Sequence, residues 1–104
     1  MTTDQAQSMI GSCTITAGPQ PACIEYSDAS PDALELDAKP QCHQGAWRNE
    51  SCARDNAIGG CTTDVEGPYG RFTLTDWYYV GGPLVTAADV MAKCSALSMA
   101  FVAP

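Results

Sequence analysis

Basic residues are scarce in this chain. Five Lys+Arg stand against twelve Asp+Glu in 104 residues, a formal net charge of −7 at pH 7. No cluster of Lys and Arg is present to neutralise phosphates, so nucleic acid is not an expected partner. The basic face that holds a protein to an anionic membrane is missing too. Histidine is scarcer still, with His43 alone. A base-activated nucleophile would have to combine it with a serine such as Ser27 or Ser51, and no serine stands in a Gly-x-Ser-x-Gly frame. There is no CxxC pair, so the close knuckles that hold zinc are absent, and Cys42, His43, Cys52 and Cys61 have the wrong spacing for a metal. No cofactor is expected. No apolar run approaches the roughly 18 residues of a membrane span. The opening MTTDQAQSMIG has neither the basic nor the apolar region of an export signal.

Cysteine, by contrast, is abundant. Cys13, Cys23, Cys42, Cys52, Cys61 and Cys94 are an even set without metal-ligand spacing. Three disulfides are the expected use, which places the protein in an oxidising compartment, secreted or at the cell surface or periplasm. Met1 is therefore read as standing where an export signal has been removed. The length suits one domain with a modest core. We expect a disordered tail over residues 1–10 and a single disulfide-rich α+β domain over 11–104.

Arg71–Val80 and the helix that follows organise the pattern. Phe72, Leu74, Tyr78 and Val80 fall on one strand face at period two, interrupted by Asp76, while Arg71, Thr73, Thr75, Trp77 and Tyr79 take the other. An inward Asp76 predicts a bulge or bend before Trp77. Gly81, Gly82 and Pro83 end the strand. Thr86 with Asp89 three residues on is a near capping box, and Ala87, Val90, Met91, Cys94, Leu97 and Ser98 form the expected buried stripe. Upstream, strands are expected from Cys13 and from Cys23 around a Gly18-Pro19 turn. A helix should open at Ser30-Pro31-Asp32 and break at Pro40. A short strand follows at Ala46-Trp47-Arg48, then a loop from Asn49 to Gly60. The second half runs from a strand at Cys61 through a turn at Gly67–Gly70, the long strand and the helix, to a last strand at Met99–Val102.

The two halves read alike. Tyr26 and Tyr78, Pro31 and Pro83, Asp37 and Asp89, and Cys42 and Cys94 are each 52 residues apart, and Cys13-Thr14 precedes Cys61-Thr62 by 48. The order strand, strand, helix, strand recurs with them, over 13–52 and 61–104. The expected fold is thus two pseudo-repeats forming an antiparallel sheet packed on two helices, with a longer hairpin in the second. Equivalent halves would pair Cys13 with Cys42 and Cys61 with Cys94, leaving Cys23 for Cys52; pairing across the repeats is the open alternative.

Cys23-Ile24-Glu25-Tyr26, Cys42, Gly45-Ala46-Trp47 and Trp77-Tyr78-Tyr79 together resemble a pattern in small Cys-rich exported proteins and lipoproteins of myxobacteria. The resemblance covers about Cys13 to Val102. It implies export and disulfides, with any lipid-bearing cysteine upstream of this sequence, and implies no activity.

Among candidate sites, Asp28-x-Ser30-x-Asp32 begins like a calcium loop, but Ala33 and Lys39 occupy the positions that need glycine and glutamate. Asp64 and Glu66, with Asp76 across the hairpin, are carboxylates that could do acid–base work, though a polar strand face is the simpler reading. Asn49-Glu50-Ser51 matches a glycosylation acceptor. Trp77, Tyr79, Tyr69 and Trp47 are the candidate binding residues, as an exposed aromatic row on the strand face that no helix covers. The functional expectation is an exported, non-enzymatic binding or assembly module that uses this aromatic surface for a protein partner or for self-association. The alternative is an inhibitor or toxin-like effector presenting a disulfide-framed loop over Ala53–Gly60.

Overall fold

The computed structural model describes residues 9–15, 17–43 and 45–104. Strands β1 (Met9–Ile15), β2 (Ala22–Ala29), β3 (Gly45–Arg48), β4 (Ala57–Gly67), β5 (Gly70–Tyr79) and β6 (Ala100–Val102) form one sheet in the order β3-β1-β2-β5-β4-β6. Every neighbouring pair is antiparallel. A first helix, π-helical over Ala33–Ala38 and 3-10 over Lys39–Gln41, lies between β2 and β3; α1 (Ala87–Ala96) lies between β5 and β6. The fold class is α+β with three disulfides, Cys13–Cys42, Cys23–Cys52 and Cys61–Cys94. Most of the expected tail, residues 1–8, lies outside the described residues. Met9 and Ile10 belong to β1, because Met9 already pairs with Ala29.

Side chains alternate between two faces. Cross-strand partners put Cys13, Ile24, Asp76, Cys61 and Phe101 on one face, and Thr14, Cys23, Trp77, Gly60 and Val102 on the other. On the first face, Ala33, Leu34 and Ala38 cluster with Tyr26, Ala29 and Phe72, while Val90 and Cys94 of α1 cluster with Cys61 and Tyr78. Both helices begin where the sequence signals said. The Ser30 hydroxyl accepts from the Ala33 amide at 3.1 Å. At α1, Thr86 and Asp89 exchange the full capping box, with the Asp89 carboxylate also accepting from the Val85 amide at 2.9 Å.

Four expectations fail for identifiable reasons. The stripe of α1 is narrower than its periodicity implied: Val90 and Cys94 are buried, but Met91 and Leu97 remain 48% and 46% exposed, because the helix rests mainly on β4 and β6 at the edge of the sheet. No bulge attends Asp76, which pairs regularly with Ile24 and Cys61; the irregularity lies between Ala57 and Gly59, at the start of β4. The loop after Asn49 ends sooner than expected, since Ala57–Gly60 belongs to β4. Gly59 and Gly60 are not punctuation there. A Cβ at Gly59 would stand 2.5 Å from the Phe101 ring and one at Gly60 2.9 Å from the Trp77 ring, so glycine is what lets those rings lie flat on the strand. Lastly, Val80 lies beyond the end of β5 and is exposed, where the alternation had placed it inward.

Candidate functional site

The sheet face carrying Trp77 is covered, not open. Trp77 is only 3% exposed. The Cys23–Cys52 bond draws the segment after β3 across it, and the Arg54 guanidinium stacks over the indole, 4.1 Å from its centroid. Glu25, itself 7% exposed, fastens this cover by accepting from the Cys52 amide and from Arg54 Nη1, both at 3.0 Å. Such a buried, hydrogen-bonded carboxylate is the kind whose loss is costly. Tyr79 donates its hydroxyl to the Ala53 carbonyl at 2.7 Å. Burial raises the Tyr79 phenol above its ordinary pKa, against the nearby charge of Arg54. The Trp77 Nε1–H finds no acceptor among the described residues.

The proposed aromatic row is therefore corrected in two respects. Trp77 and Tyr79 form the floor beneath a segment that the sequence reading had left free. Trp47 lies on the opposite face, as the cross-strand partner of Cys13, with its ring 5.8 Å from that of Tyr26 and its Nε1–H donated to Asn49 Oδ1. The disulfide-framed loop is shorter than the expected Ala53–Gly60, with Ala53 to Asn56 exposed. Ala53 and Arg54 are held down on the sheet, and Ala57–Gly60 is strand.

Tyr69 alone of the four stands clear, 47% exposed. It occupies the two-residue turn between β4 and β5, where Gly67 pairs with Gly70 and Gly70 takes the positive φ of +124°. The turn is braced by Ser30, whose hydroxyl donates to the Tyr69 carbonyl at 3.3 Å. Two cavities open beside it. One of about 210 Å³ is lined by Asp28, Asp64, Arg71, Phe72 and Thr73. One of about 340 Å³ is lined by Asp28, Ser30, Tyr69, Gly70 and Arg71. They share Asp28 and Arg71, so they read as one cleft at the end of β2 and the β4–β5 hairpin. Asp28 sits there at φ +52°, a left-handed conformation that aspartate tolerates better than most residues. Thr73 donates to Asp64 Oδ1 at 3.0 Å, and Arg71 Nε lies 3.4 Å from Glu66.

Sequence reading missed this cleft. It placed Asp28 in a failed calcium loop, Asp64 in a carboxylate pair and Tyr69 in the aromatic row, and the fold alone sets Asp64 and Tyr69 in adjoining cavities that share Asp28. The suggested Asp64–Asp76 arrangement does not occur, because Asp64 opposes Thr73 on one face while Asp76 opposes Cys61 on the other. Asp76 is half-buried on its face, and burial pushes its carboxyl above the ordinary value of 3.8, with Lys93 pulling the other way. His43 is exposed. Among the described residues there is no group of three His, Cys, Asp or Glu able to hold a metal ion, and no helix is long and apolar enough to cross a membrane.

No family model matches the chain, and neither the curated proteins nor the solved structures contain a match to it.

Proposed function

We propose that the protein is an exported, non-enzymatic binding module whose recognition surface is the cleft at the β4–β5 turn. The observation that carries this reading is the pair of adjoining cavities that share Asp28 and Arg71, the larger of them also lined by the exposed Tyr69. An aromatic side chain with few torsions, beside convergent charged groups, is the composition of recognition sites. The cleft is built on strands and on a turn braced by Ser30, so little ordering is left to oppose binding. Export is supported by the three disulfides, which in a small domain belong to oxidising compartments.

The same reading takes the chain as an internal duplication that lays both helices on one sheet face. Several correspondences support it. Cys13 opposes Ile24 and Trp47, as Cys61 opposes Asp76 and Phe101. Gly11 opposes Tyr26 and lies under the Trp47 ring; Gly59 opposes Tyr78 and lies under the Phe101 ring. Each first strand is bonded by its cysteine to the helical segment of its own half. Ile24 and Asp76, 52 apart, face each other across the β2–β5 join, where the axis relating the halves would pass.

The test is site-specific photocrosslinking in the native host. A benzoylphenylalanine at position 69 is expected to give a defined adduct outside the cytoplasm, and the same group at Glu50, on the cover segment, is expected to give none. Recovery of the native protein with alkylatable thiols from the cytoplasm, or equal adducts from both positions, would overturn the reading.

A further inference from the structure

We infer that the cleft takes an uncharged saccharide, with a pyranose ring on Tyr69 and its hydroxyls on Asp28, Asp64 and Arg71; this rests on the cleft's being the recognition surface. The walls of the cleft still offer several unused polar groups. The Ser30 hydroxyl is used twice, donating to the Tyr69 carbonyl and accepting from the Ala33 amide. Asp64 Oδ1 is used by Thr73, which leaves Oδ2. The Asp28 carboxylate accepts from none of the described groups, so both its oxygens are left. Arg71 turns Nε to Glu66, which leaves the two terminal nitrogens of its fork. The cleft thus presents several strong acceptors and one planar double donor around an exposed ring.

Each other ligand class fails on one of these features. An anion meets two carboxylates against one guanidinium, and Glu66 lies beside that guanidinium. A nucleotide carries the same penalty in its phosphates. A divalent cation has no group of three ligating side chains among the described residues, and Arg71 lines both cavities beside Asp28. An organic cation would gain from the carboxylates and the ring but would face Arg71 in both cavities. A sugar answers all of it. Adjacent hydroxyls donate to carboxylates and accept from a guanidinium fork, and the apolar face of the ring covers an aromatic side chain that has a polar tip. The larger cavity falls within the ~300–1,000 Å³ of small-ligand sites.

The experiment is amide chemical-shift mapping of the intact, oxidised protein with cellotriose, maltotriose and triacetylchitotriose, each taken to tens of millimolar, with putrescine and inorganic phosphate as controls. At least one saccharide is expected to saturate with a Kd of roughly a millimolar, moving the amides of Ser30, Tyr69, Gly70, Arg71 and Thr73. Tyr69→Ala and Arg71→Met should each weaken it about tenfold or more, with the remaining amide spectrum unchanged as proof of folding. Failure of all three sugars to saturate overturns the inference, as do shifts that survive Tyr69→Ala. Saturation by putrescine alone would make the cleft a cation site and overturn it too. A position-69 adduct with a protein, alongside silent sugars, would sink the saccharide and leave the binding module standing.

Discussion

Residues 9–48 and residues 57–102 run through the same succession of strands, yet they hold their helices by different means. The first helix buries Ala33, Leu34 and Ala38 against Tyr26 and Phe72, and Phe72 is lent by β5 of the other half. That loan is available because β4 and β5 outreach β1 and β2, carrying a two-residue turn out to Gly67 and Gly70. α1 receives only the partly buried Ala22 from the first half and sets only Val90 and Cys94 into the sheet. The contrast teaches that sulfur and apolar packing substitute for each other. Where packing is thin, the cystine is itself part of the core.

Removing the bonds should separate the halves most strongly. Cys13–Cys42 and Cys61–Cys94 close loops of similar length, 29 and 33 residues apart, so loop entropy alone gives each about 3–4 kcal/mol. Cys61 and Cys94 are both buried, however, whereas Cys42 is half-buried. Replacing the second pair by alanine also leaves a cavity under α1. In urea unfolding, Cys61→Ala/Cys94→Ala is expected to lose more than Cys13→Ala/Cys42→Ala. Equal losses would show that chain constraint, not packing, is what the sulfur supplies.

The next largest effect sharpens the likeness instead of the difference. Gly11→Ala and Gly59→Ala both drive a methyl group into an aromatic ring, and overpacking of this kind costs about 1–3 kcal/mol. If the glycines are counterparts, the two losses should agree, and shrinking the ring should recover part of each. Gly59→Ala with Phe101→Leu is then expected to be more stable than Gly59→Ala alone, by thermal or urea unfolding. A harmless Gly59→Ala would remove the best structural support for a duplicated frame.

These glycines also mark where the sequence stopped being readable. Period-two alternation over Arg71–Tyr79 located β5, and the capping residues Ser30 and Thr86 located both helix starts, because those signals are local. The disulfide partners followed from matching Cys13 and Cys42 to Cys61 and Cys94. What failed depended on contacts made far along the chain. Gly59-Gly60 looks like a stop until Phe101 and Trp77 are known to lie on it. Met91 looks buried until α1 is known to rest mainly on the sheet's edge. Trp77 looks like a binding residue until Cys52 brings Arg54 over it. The cleft was invisible for the same reason, since Asp28, Asp64 and Tyr69 share no sequence pattern and meet only through the register of β2, β4 and β5.

Ile24 and its cross-strand partner Asp76 set an apolar residue of one half against a carboxylate of the other, and pH should expose the difference. Burial raises the Asp76 carboxyl above 3.8, against the pull of Lys93. The folded protein then binds this proton more tightly than the unfolded chain does. Asp76 therefore costs stability at neutral pH, and that cost is relieved as pH falls through the folded value toward 3.8. Asp89 behaves oppositely. Hydrogen bonds from the Val85 and Thr86 amides lower its carboxyl, so its contribution is full above 3.8 and is lost as pH falls below that through its folded value. Asp76→Asn is expected to raise the urea midpoint at pH 7, by less than either glycine change lowers it, and to abolish the gain on mild acidification. Asp89→Asn should leave that gain and flatten the loss below it. Parallel pH profiles for the wild type and Asp76→Asn would break the comparison.

The smallest expected effect concerns how the two helices end. The first stops at Cys42, with φ −89°, pinned by its disulfide. α1 has no bond at its last residue and closes by backbone alone. The Met99 amide returns to the Cys94 carbonyl at 2.8 Å and the Ser98 amide to the Ser95 carbonyl at 3.1 Å, a Schellman closure with Ser98 at φ +59°. A serine there bears a Cβ penalty that glycine escapes. Glycine's greater freedom in the unfolded chain offsets part of the gain. Ser98→Gly should thus stabilise by roughly 0.5 kcal/mol, while Ser95→Gly, three residues earlier within α1, should destabilise by about 0.5–1 kcal/mol. Opposite signs from one substitution on either side of the helix end would show that α1 is held at its C-terminus by conformation. Two losses would mean that the cystine at Cys94 already fixes the end and the closure adds nothing.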